Sequence, residues 1–234
     1  MHISPDNVIF WQSGLLVLNR TILFTWAVMA LLAVGSWLLT RRLSSTGRVS
    51  RRQIILEAVV SAISGQLKAV TPHQPKGLLP LLGTLFLFIA VSNVLSVVPG
   101  FHPPTGSLST TSAFALVVFV AVPVYGVSKM GVVDYLSNYL RPSFFMLPFN
   151  IMGEISRTLA LAVRLFGNVM SSNMIGAILL LIAPLFFPVP MQLLGLLTGV
   201  VQAYIFAILA AVYIGAAMEA QTRSGKRPKE KRYE

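Results

Sequence analysis

The longest uncharged stretch of the sequence limits the possible folds most strongly. From Gly77 to Ser128 the chain contains no Asp, Glu, Lys or Arg. A helix that crosses a bilayer needs about 20 apolar residues, so this stretch is too long for one crossing. Its middle, residues 99–109 with the sequence PGFHPPTGSLS, is rich in proline and glycine and indicates a loop. The stretch therefore predicts two membrane-spanning helices, at about residues 79–98 and 110–128.

The composition agrees with a chain that lies mostly in a membrane. Hydrophobic residues make up 55% of it and charged residues 11%, with a mean hydropathy of +0.77. Soluble domains carry about 25% charged residues. The sequence predicts an all-α integral membrane protein, with residues 1–234 as a single membrane domain and no sizeable soluble domain. Cysteine is absent, which excludes disulfide and thiol chemistry.

The net charge of +11 follows the membrane topology. The basic residues cluster between and after the apolar segments, which is typical of the cytoplasmic side of a membrane protein. We therefore expect residues 1–20 outside, the loop at 99–109 outside, residues 222–234 as a basic cytoplasmic tail, and no nucleic-acid partner. The basic residues of the inner side are Arg41, Arg42, Arg48, Arg51, Arg52, Lys129, Arg141 and the tail from Arg223 to Arg232.

Two further segments complete the first half of the chain. Residues 21–40 contain no charge and predict the first span. The first apolar run has full spanning length and no basic region precedes it, unlike a secretory signal. Residues 51–70 have two faces at helical spacing. We expect an amphipathic helix on the cytoplasmic membrane surface, or alternatively one packed on a partner protein.

The last two apolar segments, about residues 148–183 and 191–221, are longer than a bilayer requires. The sequence PLFFPVP at 184–190 separates them. A helix over residues 148–183 is about 54 Å long, whereas the hydrocarbon core is about 30 Å thick. Either this helix breaks at Gly167 or Gly176, or it is steeply tilted. We predict five spanning helices plus one surface helix, with residues 143–221 as a long, steeply tilted hairpin.

Three charges interrupt the first of these long segments: Glu154, Arg157 and Arg164. An arginine at the centre of a membrane helix costs about 2.5–3.5 kcal/mol on insertion scales. Glu154 and Arg157 have the spacing of an ordinary helical pair. Arg164 and Asn168 lie on about the same face as Arg157, and this polar stripe indicates a water path or a partner. The alternatives for Arg164 are a structural ion pair with Glu154 or snorkelling to an interface.

These segments resemble subunit a of the F-type ATP synthases, the membrane stator of a rotary motor. The sequence RLFGN at 164–168, after a helix that contains Glu154, is similar to the family's arginine segment. Residues 93–119, NVLSVVPGFHPPTGSLSTTSAFALVVF, resemble its third and fourth helices, and residues 201–218, VQAYIFAILAAVYIGAAM, resemble its last helix. The resemblance covers residues 20–220. It implies that the last two helices lie almost in the membrane plane against a rotor ring.

The resemblance implies a role in ion translocation for Arg164, with no catalytic site for ATP in this chain. Arg164 would attract the ion-free carboxylate of a rotor subunit and separate two half-channels that pass H⁺ or Na⁺. A guanidinium keeps its proton in such a site, whereas a lysine loses it readily. Asn168 and Gln202 would orient the guanidinium or line the water path, with helix–helix hydrogen bonds as the alternative. No GxxxxGK[ST] motif occurs, so ATP chemistry belongs to partners.

The resemblance also implies the surroundings of the subunit. The expected partners are the ring of c subunits, b-type peripheral stalk subunits, the rest of the F1Fo complex and membrane lipid. The expected location is a bacterial inner membrane, and no cofactor is expected.

Three positions depart from the family pattern. Asn173 stands where many proton-driven members have a glutamate, Gly195 where some have a histidine or glutamate, and Ser96 where some have an aspartate. We therefore expect an outer half-channel without an evident titratable group, in which Ser171, Ser172 and Asn173 offer neutral oxygens and amides. With the opening sequence ISPDNVIFWQSG and Arg157, this resembles the divergent bacterial N-type branch, which is often sodium-linked. The coupling ion, H⁺ or Na⁺, stays open.

Two other functions are compatible with a chain of this composition. A self-contained secondary transporter or ion channel would show internal repeats, or polar clusters from several helices near mid-membrane, and the sequence shows neither. A structural scaffold leaves Arg164 unexplained. A stator subunit should copurify with a ring of small hydrophobic proteins and should not conduct ions alone.

Overall fold

The computed structural model describes residues 9–13, 16–41, 51–70, 75–98, 100–133, 145–182 and 188–225. It is almost entirely helical. The helices are α1 (Arg20–Thr40), α2 (Arg51–Val70), α3 (Pro75–Leu95), α4 (Leu108–Met130), α5 (Met146–Ile182) and α6 (Pro188–Gly225), and a 3₁₀ turn, Pro104–Gly106, precedes α4. The predicted all-α membrane fold is confirmed. The basic segments at 42–50 and 134–144, most of the break at 184–190, and the tail from 226 lie outside the described residues.

Four of the described helices are long and apolar enough to cross a membrane. They are α1, α3, α4 and α6, over Arg20–Thr40, Gly77–Leu95, Leu108–Ser128 and Val189–Met218. These helices coincide with four of the five predicted spans to within a few residues. The fifth predicted span is α5, which carries the three membrane charges, and its crossing stays a prediction.

A short β-hairpin precedes α1 and was not predicted. Strand β1 (Ile9–Ser13) pairs antiparallel with β2 (Leu16–Asn19), and the register shifts between Ile9 and Trp11. The expectation for residues 1–20 concerned only their side of the membrane. A turn signal, Ser13-Gly14, does stand between two β-prone runs in the sequence.

The core lies where α3, α4, α5 and α6 meet. Helices α3 and α4 run antiparallel. The start of α3 lies beside the end of α4, where Tyr125 donates a hydrogen bond to the Gly77 carbonyl at 2.8 Å. Farther along α3, Phe88 packs on Phe114 near the start of α4, with ring centroids 5.1 Å apart. Alanines on α6 let its neighbours approach closely, as small residues do in membrane bundles. The buried core side chains include Leu82, Leu85, Ile89, Ala115, Val118, Leu161, Leu165, Ala203, Phe206, Ala210 and Ile214.

Helix α1 stands at the edge of this core. Only Thr21 and Val28 of its side chains are buried. Its exposed side chains include Leu23, Trp26, Leu31 and Trp37, as expected for a helix whose apolar surface meets lipid.

Helix α2 confirms the helix predicted over residues 51–70. Its C-terminal half packs on α3 and α6, where Leu67 is buried in the core. Gln66 accepts a hydrogen bond from the hydroxyl of Tyr204 on α6 at 2.9 Å. Ile54 and Val60 nearer its start are exposed. An amphipathic helix is expected to be packed on one side and exposed on the other, as α2 is. Its location on the cytoplasmic membrane surface stays a prediction.

Helices α5 and α6 are unbroken over 37 and 38 residues. They are about 55 and 57 Å long at 1.5 Å per residue. The alternative of a break at Gly167 or Gly176 is therefore wrong. A glycine inside a helix costs only about 1 kcal/mol relative to alanine, and the packing of α5 on α4 and α6 outweighs that cost. Both helices exceed the thickness of a bilayer core, as the predicted tilted hairpin requires.

The tightest approach in the bundle joins α3 and α6. A Cβ atom added to Gly199 would lie 2.8 Å from Cβ of Asn93. Asn93 donates a hydrogen bond from Nδ2 to the Gly199 carbonyl at 2.9 Å, and its Oδ1 accepts one from Thr105 at 3.3 Å. Because Asn93 and Thr105 are buried, this contact joins α3, the loop after it and α6.

The loop between α3 and α4, residues 96–107, also contacts α1 and α5. Gly100 has φ +89°, a conformation that favours glycine, and its carbonyl accepts a hydrogen bond from Nη2 of Arg20 at 2.9 Å. Gly106 lies against α5, where an added Cβ would be 3.3 Å from Cγ1 of Val169. The C-terminal half of α5 therefore lies beside this loop.

The Gly199→Ala variant should weaken the bundle. The added methyl group must displace Asn93, and overpacking of this kind costs about 1–3 kcal/mol. Gly35→Ala is the matched control, because nothing lies within 4 Å of a Cβ there. Thermal inactivation of the purified complex measures the difference. Equal stability of the two variants would contradict the tight contact.

Candidate functional site

Helices α5 and α6 lie side by side and antiparallel. The guanidinium carbon of Arg157 lies 5.7 Å from the centroid of the Tyr213 ring. Farther along, Nδ2 of Asn168 donates a hydrogen bond to the Thr198 carbonyl at 3.2 Å. Arg164 lies between Arg157 and Asn168 on α5. Gln202 lies between Thr198 and Tyr213 on α6. The antiparallel pairing therefore brings Arg164 and Gln202 to the same level of the hairpin.

Arg164 is exposed on the outer surface of the bundle. Its neighbours Leu159 and Val163 are 62% and 53% exposed, whereas Leu161 and Leu165 are buried in the core. No hydrogen bond or ion pair joins Arg164 to any residue that the structure describes. The alternative of a structural ion pair with Glu154 is therefore not observed. A guanidinium on an apolar membrane surface is costly without a partner, and the part of the chain that the structure describes supplies none.

The other two charges of α5 lie toward its N-terminus. Arg157 is exposed two turns before Arg164 and packs over Tyr213 of α6. Glu154 is half-buried, and its backbone carbonyl accepts a hydrogen bond from the hydroxyl of Thr158 at 3.0 Å. Arg157 is thus held on α6 by a cation–π contact.

Asn168 fits the helix–helix alternative and also reaches a cavity. It is half-buried and forms the hydrogen bond to α6 described above, while its own carbonyl accepts one from Ser172 at 3.0 Å. It lies one turn from Arg164, which is about 6 Å along the helix axis. Asn168 therefore fixes α5 against α6 directly beside the arginine.

Gln202 is only 7% exposed, and its Nε2 has no hydrogen-bond partner among the described residues. An unsatisfied buried amide costs about 1–3 kcal/mol. The helix–helix hydrogen bond considered for this amide nitrogen is thus not observed.

A cavity of about 550 Å³ lies between α3, the loop 96–107, α5 and α6. Asn168 lies at its end nearest to Arg164. Of the predicted pathway residues, Ser172 and Asn173 line it, whereas Ser171 is exposed outside the lining. The polar side chains of the lining are Asn93, Ser96, His102, Asn168, Ser172, Asn173 and Gln192, and Gly195 also lies in the wall.

His102 is a cavity residue that the sequence analysis did not single out, and the expectation of an outer half-channel without an evident titratable group stays a prediction. It is exposed and lines the cavity. Its segment, PGFHPP, indicated only a loop, because local sequence does not show what a loop folds over. The available signal was a histidine inside a stretch that has no Asp, Glu, Lys or Arg.

The cavity offers neutral ligands to a cation. Amide and hydroxyl oxygens of Asn93, Ser96, Ser172 and Asn173 can contact a hydrated ion, as such oxygens do in proteins. Among the described residues, no group of three or more His, Cys, Asp or Glu side chains could hold a metal ion.

Comparison with known proteins agrees with this geometry. The family model described as ATP synthase A chain matches residues 22–215. ATP synthase subunit a 2 of Acaryochloris marina is 61% identical over 219 residues, which cover 94% of each chain. ATP synthase subunit a of Albidiferax ferrireducens is 59% identical over 229 residues, 98% of this chain and 97% of the relative. The chain therefore belongs to the subunit a family of the F-type ATP synthases, and is a multi-pass membrane subunit of the F1Fo complex.

Proposed function

We propose that this chain is the stator ion-channel subunit of a rotary F-type ATP synthase, which passes H⁺ or Na⁺ to and from carboxylates of a c-subunit ring. The observation that carries the proposal is the exposed guanidinium of Arg164, which has no partner among the described residues. A rotor carboxylate is the partner that its charge and position require.

Arg164 has two physical effects in this mechanism. A rotor carboxylate that has released its ion is negatively charged in a poorly hydrated place, where a nearby guanidinium stabilises it. The same positive charge repels a cation that would otherwise pass straight from one half-channel to the other. Arginine suits both effects because it stays protonated where lysine would not.

The cavity beside the loop 96–107 serves as the outer half-channel in this proposal. It begins at the exposed His102 and extends to Asn168, one turn from Arg164. The inner half-channel would approach Arg164 from the opposite end of α5, past Glu154 and Arg157. Gln202 lies at the level of Arg164 and supplies a buried amide for water or for the rotor site.

The orientation follows from the charges. The loop 96–107 contains no Lys or Arg, whereas the tail after α6 is basic, so we place the loop outside and the tail in the cytoplasm of a bacterial inner membrane. The c-ring would lie on the α5–α6 face. Helix α1, which is largely exposed, offers a surface to b-type stalk subunits and lipid.

The coupling ion is H⁺ or Na⁺ in this proposal. A sodium path is favoured by the neutral side chains of Asn173 and Ser96, and by Gly195, which has no side chain. The N-type branch resembles the chain in this respect. The site that selects between H⁺ and Na⁺ is the carboxylate of the rotor subunit in this proposal.

Replacing Arg164 tests the proposal directly. In vesicles with the whole complex, Arg164→Ala and Arg164→Lys should each reduce ATP-driven ion uptake by at least about 100-fold, since removing one partner of a desolvated ion pair costs about 3–5 kcal/mol. Arg41→Lys is the control, because Arg41 lies at the end of α1 over Trp37, far from this site in the chain.

The same assay separates the two ions when sodium is varied and an uncoupler is present. Sodium uptake that survives the uncoupler and disappears in Arg164→Ala would show sodium coupling. Uptake that the uncoupler abolishes would show proton coupling. Coupled uptake at the wild-type rate in Arg164→Ala would refute the stator role.

The outer half-channel is tested by a pair of neighbouring positions. Asn173→Leu replaces a polar cavity wall with an apolar side chain and should slow ATP-driven ion uptake about tenfold, since desolvating an ion path by about 1.4 kcal/mol has that effect. Ser171→Ala should retain the wild-type rate, because Ser171 is outside the lining. The reverse order of the two rates would show that ions take another path.

A further inference from the structure

Arg20 stands where two general tendencies oppose a positive charge. It is the first residue of α1, and the N-terminal end of a helix already carries a partial positive charge. It contacts the loop 96–107, which we place outside, and that side of a membrane is usually poor in Lys and Arg. The reason for an arginine at this position therefore lies in its contacts.

Arg20 joins α1 to the backbone of the loop. Its Nη2 donates a hydrogen bond to the Gly100 carbonyl at 2.9 Å, and its guanidinium carbon lies 5.5 Å from the centroid of the Phe24 ring. The first contact is made at a turn that favours glycine, since Gly100 has φ +89°. The second is within the range of a cation–π contact. One guanidinium thus holds the loop backbone and an aromatic ring of α1 at the same time.

Phe24 contacts two side chains of the cavity wall. The centroid of its ring lies 4.8 Å from that of Phe101 and 6.5 Å from that of His102. Both separations are typical of paired aromatic rings. Phe101, His102 and Pro103 all line the cavity. Residues 100–103, the wall segment, are therefore joined to α1 through the backbone by Arg20 and through their rings by Phe24.

The other end of the loop has a separate anchor. Thr105 donates a hydrogen bond to Oδ1 of Asn93 on α3 at 3.3 Å. Gly106 lies against α5, where an added Cβ would be 3.3 Å from Cγ1 of Val169. Val169 is only 7% exposed and also lines the cavity. The loop is thus fixed on α3 and α5 at this end and on α1 at the wall segment.

We propose that Arg20 is a positioning residue of the outer half-channel, which together with Phe24 holds the wall segment in place and so limits the size of the solutes that the cavity admits. With the wall segment fixed, the cavity passes small ions and excludes larger solutes. Without Arg20 the wall segment moves, and larger solutes enter. This inference rests on the proposed outer half-channel, and it holds whether the coupling ion is H⁺ or Na⁺.

The test uses a feature of the sequence: the chain contains no cysteine. Val169→Cys places one thiol in the buried part of the cavity wall. The intact complex is then treated from the outer side with two cationic methanethiosulfonates that carry the same charge and differ in size. The mass shift of this subunit gives both rates of modification. The ratio of the large-reagent rate to the small-reagent rate cancels the ionisation of the thiol and the effect of nearby charge, since both reagents share them.

In Val169→Cys with Arg20→Gln, the rate ratio should rise by about threefold or more, since loss of the contacts raises the population of displaced wall conformations. Phe24→Leu should also raise it. The two changes together should raise it by less than the product of their single effects, because the two residues act as a unit. A loss of stability alone changes the amount of assembled complex and leaves this ratio unchanged.

Arg41→Gln is the matched control. Arg41 lies at the other end of α1, where its guanidinium carbon is 4.7 Å from the centroid of the Trp37 ring. It therefore makes the same kind of aromatic contact as Arg20, at the end of α1 away from the loop. The rate ratio in Val169→Cys with Arg41→Gln should equal that in Val169→Cys alone.

The outcomes separate this inference from the proposed function. A thiol that neither reagent reaches from outside would overturn the outer half-channel and the role of Arg20 with it. A thiol that reacts with an unchanged or lower ratio in Arg20→Gln, or with a ratio that rises equally in Arg41→Gln, would overturn only the role of Arg20. If Arg20→Gln prevents assembly of the complex, Phe24→Leu provides the same comparison with the arginine in place.

Discussion

The contact between Asn93 and Gly199 fixes the arrangement on which the rest of the structure depends. It brings the backbone of α6 against α3 at a distance that allows no side chain at residue 199. Its hydrogen bonds are buried, and an unmade hydrogen bond there would be costly. Because Thr105 also bonds to Asn93, the same residue positions the loop that covers the cavity. The wall of the cavity, the level of Gln202 and the position of α6 beside α5 all follow from this contact.

The packing of the bundle explains which side of α5 carries its arginines. The bundle buries one side of α5 through Leu161 and Leu165 and leaves Arg157 and Arg164 on the exposed side. A lone arginine in lipid is costly, and a snorkelling side chain lowers the cost only near an interface. Helices of about 55 Å and more provide a long surface for a partner instead. In the proposed mechanism, the predicted tilted hairpin and an arginine without a partner among the described residues have one explanation, a large membrane partner that brings its own carboxylate.

The spans and the candidate arginine could be predicted from the sequence because their signals are local. Uncharged runs of spanning length gave α1, α3, α4 and α6, and the spacing of Glu154, Arg157 and Arg164 gave the polar stripe. Contacts between distant segments gave no such signal. The glycines at 167 and 176 offered a break that the packing of α5 on α4 and α6 prevents. The wall formed by Asn93, Asn173 and Gln192 depends on three segments far apart in the chain. The position of His102 depends on Phe24 and Gly100. The pairing of residues 9–13 with 16–19 has only a weak local signal, the two-residue turn Ser13-Gly14.

The composition of the cavity bears on why its residues are mostly neutral. Arg20 contacts the loop 96–107 at the Gly100 carbonyl, and Arg164 lies one turn from Asn168 of the wall. Between them the wall offers amides and hydroxyls. A cation there meets ligands that stabilise it, but no carboxylate among the described residues that would hold it. A conducting site must bind an ion strongly enough to admit it and weakly enough to release it. Neutral walls meet that requirement, and the proposed mechanism leaves strong, selective binding to the rotor carboxylate that would pair with Arg164.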